Sequence, residues 1–97
     1  MVEVIEIMTF RLVDGADEAA FRDADDRVQV ELAYRQPGFV RRTLGRRGDR
    51  WLVLQIWTTP QAAEAGQAAF DASALGARFL SLVDADSIVV ERFGDAG

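Results

Sequence analysis

Ninety-seven residues suffice for one domain and are too few for two. The sequence has no cysteine and no histidine, and its eleven basic residues are all arginine. Disulfides, thiolate nucleophiles, imidazole bases, histidine- or cysteine-bound metals and lysine Schiff bases are thereby excluded, and a net charge of −5 argues against nucleic acid and anionic membranes as partners.

The chain opens without a basic leader, and no apolar run approaches the length of a membrane span, so it reads as cytoplasmic. Residues 2–13 alternate as a first strand, with Val4, Met8, Phe10 and Leu12 on one side and Ile5, Ile7 and Val13 on the other. Asp14-Gly15 closes it with turn chemistry. A helix is predicted over 17–36, with Asp17 as N-cap and an apolar stripe of Ala20, Phe21, Ala24, Val28 and Leu32. The spacing predicts three ion pairs on it, Glu18–Arg22, Asp23–Arg27 and Glu31–Arg35, and places Asp25 and Asp26 on its solvent side. Pro37-Gly38 ends it. Residues 39–46 and 51–57 read as a hairpin around Gly48-Asp49. Thr58 or Thr59 then caps a helix with Pro60 in its first turn and a small-residue face of Ala62, Gly66 and Ala69. After a break at 71–73 a second helical piece carries Leu75, Phe79 and Leu82; residues 87–93 form the last strand, and 94–97 are expected to fray.

The order βαββαβ predicts one ferredoxin-like α+β domain over 1–97, a four-stranded antiparallel sheet with both helices on one face. The other face should then be polar, and it is not. In 51–57, Leu52, Leu54 and Ile56 oppose Trp51, Val53, Gln55 and Trp57, and the first and last strands are apolar on both sides as well. An apolar face of that size calls for a second copy packed sheet to sheet across a two-fold axis, with a monomer bearing one greasy binding face as the alternative.

Three segments carry a resemblance: Phe10-Arg11-Leu12-Val13-Asp14-Gly15, Pro37-Gly38-Phe39-Val40-Arg41-Arg42 and Trp57-Thr58-Thr59-Pro60-Gln61-Ala62-Ala63. In order and spacing the chain resembles the dimeric α/β-barrel proteins, in particular the small antibiotic-biosynthesis-monooxygenase-like group. The resemblance implies a homodimeric barrel and a small-molecule activity of one of several kinds: cofactor-independent oxygenation of polycyclic phenols, haem degradation or lactone isomerisation. The haem-degrading branch needs an asparagine, a tryptophan and a histidine. Trp57 matches the tryptophan, but Met8 stands at the asparagine position and the chain holds no histidine, which argues against that activity.

The candidate ligand-binding residues are Trp57, Gln55, Arg41 and Arg42. Trp57 would line a pocket between sheet and helices, or else close the strand–helix junction as a core residue. Trp51, just after the hairpin turn, reads as a rim or interface residue. Gln55 is polar in an apolar strand and would grip a ligand or bond across the dimer. Arg41 and Arg42 point to opposite faces, so at least one of them needs an anion, either Glu6 or a ligand carboxylate or phenolate. Arg46, Arg47 and Arg50 read as a solvated hairpin tip. No nucleophile–base pair and no carboxylate cluster of metal-binding spacing can be assembled, so the catalytic residues stay unassigned and neither cofactor nor metal is expected. Two functions fit: a cofactor-independent oxygenase or isomerase acting on a small apolar or aromatic substrate, or a non-catalytic dimer that binds a ligand or protein.

Overall fold

The computed structural model describes residues 2–97. Strand β1 (Val4–Phe10) leads into helix α1 (Glu18–Arg27), then β2 (Phe39–Arg47), β3 (Arg50–Trp57), α2 (Pro60–Asp71), α3 (Ala74–Ser81) and β4 (Val89–Gly94). The antiparallel sheet has the order β2-β3-β1-β4, and the helices cover one of its faces, as expected of a ferredoxin-like fold. Among the described residues no helix is long and apolar enough to cross a membrane.

Capping follows the local chemistry. Asp17 accepts the amides of Ala19 and Ala20 at the start of α1; Thr59 accepts that of Ala62 before Pro60; Ser73 accepts that of Leu75. Helix α1 is shorter than the sequence suggests. Its α-geometry ends at Arg27, a π-helical turn covers Val28–Leu32, and a 3₁₀ turn covers Ala33–Arg35. Gly38, at φ +80°, then turns the chain into β2, where a β-carbon would strike Ala62 and Thr58.

None of the three expected ion pairs within this helix forms. Glu18 accepts from Arg46 of the hairpin and Asp23 from Arg78 of α3, while Arg27 pairs forward with Glu31 across the wide turn. The hydrogen bond from Arg27 draws the Glu31 carboxyl below its ordinary value. Arg46 and Arg78 reach Glu18 and Asp23 from other elements, so tertiary partners replace the helical neighbours of these two acids.

Two apolar clusters fill the space between sheet and helices. The larger joins Phe10, Phe21, Trp51, Val53, Phe79 and Val83; the smaller joins Val4, Trp57 and Ala63 under Phe39. Trp51 is a core residue and not the rim residue its position beside the turn suggested. It is 3% exposed, packs on Phe21 at 4.9 Å between ring centroids, and has the guanidinium carbons of Arg22 and Arg46 each 5.2 Å from its ring centroid. β4 begins at Val89, after a 3₁₀ turn at Ala85–Ser87, and the Asp95 amide donates to the Glu3 carbonyl, so pairing reaches into the segment expected to fray.

The face of the sheet away from the helices carries Ile5, Ile7, Leu52, Leu54 and Ile56 along its two central strands, with exposed Val89 and Phe93 on β4. No element of the described chain covers it.

Candidate functional site

A line of polar side chains crosses the helix-covered face between the two apolar clusters. Strand register places Arg42, Gln55, Glu6 and Arg92 opposite one another on β2, β3, β1 and β4. Cross-strand neighbours on one face lie within side-chain reach, and here each bonds the next. Arg42 Nη1 donates to Gln55 Oε1 at 3.0 Å, Gln55 Nε2 to Glu6 Oε1 at 2.8 Å, and Arg92 Nε to Glu6 Oε2 at 2.6 Å. From above, Arg42 Nη2 donates to Asp25 Oδ1 of α1 at 2.6 Å, with both side chains buried.

This ladder corrects three sequence expectations. Asp25 is buried and not on the solvent side of its helix. The signal was present: Asp25 lies four residues after Phe21 and three before Val28, within the apolar stripe. Glu6 pairs with Arg92 and Gln55 and leaves Arg42 to Asp25. Gln55, expected to grip a ligand or bond across a dimer, is bonded within its own chain, its oxygen accepting from Arg42 and one amide N–H donating to Glu6.

Above the ladder lies a cavity of about 220 Å³. Its floor is Glu6, Gln55 and Arg42; Trp57 stands at one end, and Met8, Val28, Leu32, Val53, Phe70 and Phe79 supply apolar walls. The π-helical turn brings Val28 and Leu32 to this wall, a position where such widened turns recur at functional sites. Gln67 and Asp71 of α2 also line it, Gln67 Nε2 donating to Asp71 Oδ1 at 2.9 Å in an exposed pair. Trp57 is held by Gly66 of α2, whose hydrogen lies against the six-membered ring where a β-carbon would collide.

Three of the four candidate residues therefore meet at one cavity: Trp57, Gln55 and Arg42. Arg41 does not. A bulge between Phe39 and Arg41 sets the register, and Arg41 is exposed, paired in register with Ile56 of the open face. Two buried donors are left without a partner among the described residues, Arg42 Nε and Trp57 Nε1. Buried polar groups are nearly always bonded, so two orphans on residues lining one cavity mark a place where acceptors are missing. No group of three or more potential metal-binding side chains occurs among the described residues.

No family model matches the sequence, and no curated protein matches it. Solved structures do. SnoaB, a cofactor-independent oxygenase from Streptomyces nogalater, superposes with a TM-score of 0.80 at 22% identity, covering 100% of this chain and 96% of its own. A provisionally assigned antibiotic biosynthesis monooxygenase from Bordetella bronchiseptica gives a TM-score of 0.81 at 17% identity, covering 99% of each chain. A similar protein from Caulobacter crescentus gives 0.81 at 17%, covering 99% of this chain and 92% of that one. Likeness over the full length at such low identity is a statement about architecture: the chain has the ferredoxin-like α+β fold of the antibiotic-biosynthesis-monooxygenase-like proteins.

Proposed function

We propose that this chain works as a cytoplasmic homodimer whose cavity binds a small apolar, aromatic-type molecule and transforms it without a cofactor, as an isomerase or oxygenase. The cavity carries the reading: an apolar pocket over a short line of polar groups, with two donors left unmatched, is the form small-molecule sites take. SnoaB, of like fold, is a cofactor-independent oxygenase. The uncovered row of Ile5, Ile7, Leu52, Leu54 and Ile56 supports the dimer, since a second sheet would bury it. Sedimentation returning the mass of a single chain would sink that half of the proposal.

Cofactor-free isomerisation and oxygenation both begin by removing a proton from an activated C–H or O–H bond. With no histidine, cysteine or lysine in the chain, a carboxylate must take it, and Glu6 is the buried carboxylate on the cavity floor. The electron pair stays on the substrate as a carbanion; an isomerase returns a proton at another atom, whereas in an oxygenase the pair forms a C–O bond to dioxygen, and the protonated hydroperoxide loses water to leave a carbonyl. The test is hydrogen–deuterium exchange into a bicyclic ketone with acidic C–H bonds, such as β-tetralone, followed by NMR in heavy water. The protein should accelerate exchange, and Glu6→Gln should cut the acceleration by about a hundredfold or more. A rate equal to that of buffer, or an undiminished Glu6→Gln variant, contradicts a catalytic role for Glu6.

One observation favours the non-catalytic alternative. Both Glu6 oxygens already accept hydrogen bonds, from Gln55 and Arg92. If the ketone binds and no exchange follows, the cavity is a binding site only.

A further inference from the structure

Given the reading of the cavity as a small-molecule site, we infer that its ligand ends in an uncharged hydrogen-bond acceptor, a ketone or ester carbonyl, and that carboxylates are rejected. Hydrogen bonding sets the first half. Within the ladder, Gln55 gives its amide to Glu6 and accepts from Arg42, and each Glu6 oxygen accepts one bond. Every acceptor on the floor has at least one partner, whereas two buried donors, Arg42 Nε and Trp57 Nε1, have none. The Arg42 guanidinium also lies over the Phe79 ring, with its carbon 5.7 Å from the ring centroid. That contact occupies the guanidinium's face and leaves its in-plane Nε–H free. A ligand that supplies acceptors and asks for none is the complement of such a site.

Charge sets the second half. Arg42 and Arg92 are matched by Asp25 and Glu6, so the ladder is already neutral, and Asp71 at the α2 wall adds a negative charge. An entering carboxylate would be desolvated beside Glu6 and Asp71 with no arginine to spare, which is costly. An ammonium would leave both donors unmatched. A neutral carbonyl satisfies donors and charge together, and the remaining walls ask for hydrocarbon.

The test uses three naphthalenes substituted at the same ring position: acetylnaphthalene, ethylnaphthalene and naphthoate. Dissociation constants come from calorimetry, and the shift of the Met8 methyl resonance reports occupancy of the cavity it lines. The ketone should bind about tenfold more tightly than the hydrocarbon, and the carboxylate more weakly than either. Trp57→Phe removes Nε1 together with the outer edge of the indole that lies against Gly66, so the hydrocarbon reports the lost packing, and the ketone should lose about fivefold more affinity than the hydrocarbon does. A hydrocarbon that binds as well as the ketone, or a carboxylate that binds better, overturns the inference while the cavity remains a ligand site. An equal loss for ketone and hydrocarbon in Trp57→Phe overturns the role of Nε1. If none of the three moves the Met8 methyl, the small-molecule site itself fails, and the inference with it.

Discussion

Asp25→Ala is expected to destabilise the fold by about 3–5 kcal/mol, because it strands the buried Arg42 guanidinium without its carboxylate. For a domain of ordinary stability, roughly 5–15 kcal/mol, that is a large share of the total. The magnitude follows from burial: only 5% and 7% of the two side chains are exposed, so water cannot replace the lost partner. Exposed pairs such as Arg46–Glu18 are worth about 1 kcal/mol or less. Urea denaturation at fixed protein concentration checks it, through a lower midpoint at unchanged slope. The double variant Asp25→Leu/Arg42→Met should recover most of the loss, since an apolar pair often replaces a buried ion pair at little cost. Recovery should fall short by about 1 kcal/mol, because Gln55 Oε1 loses its donor. An Asp25→Ala midpoint within error of the parent would mean that the ladder is not buried as described.

Phe79→Ala is expected to cost a similar amount, about 3–5 kcal/mol, through lost burial and the hole left behind. Phe79 is 1% exposed and sits edge-on or tilted against Phe10, Phe21 and Phe70, at 5.7, 5.2 and 5.8 Å between centroids. It also lines the cavity and carries the Arg42 guanidinium on its face. The truncation therefore enlarges the cavity, and ethylnaphthalene should raise the melting temperature of the variant by more than it raises that of the parent. A loss under about 1 kcal/mol would show that neighbouring side chains collapse into the space. Both substitutions act on Arg42, so their effects should not add.

Much of this architecture is legible in the chain. Alternation, caps, turn residues and the apolar faces of 2–13 and 51–57 all point to βαββαβ, because each element's burial pattern is written in its own period. Helix α1 departs from it at Val28, where the backbone widens into a π-turn that no local propensity signals. The site was legible in part. Gln55 and Glu6 stand out as polar residues in apolar strands, and Trp57 as a large residue at a strand–helix junction. What joins them is register. Whether Arg41 or Arg42 faces the helices depends on the bulge after Phe39, and whether Arg92 reaches Glu6 depends on β4 lying beside β1. Neither pairing is local in sequence. The orphaned donors are further from view, since they are defined by which neighbours fail to reach them.

A crystal structure grown with acetylnaphthalene would show the occupied cavity and the dimer together. Two chains should pack through their uncovered sheet faces, with the naphthalene between Phe79 and the Val28–Leu32 turn and its carbonyl oxygen within hydrogen-bonding distance of Arg42 Nε or Trp57 Nε1. An empty cavity at saturating ketone, with the compound elsewhere or absent, would contradict that placement and return Trp57, Arg42 and Gln55 to the role of core residues.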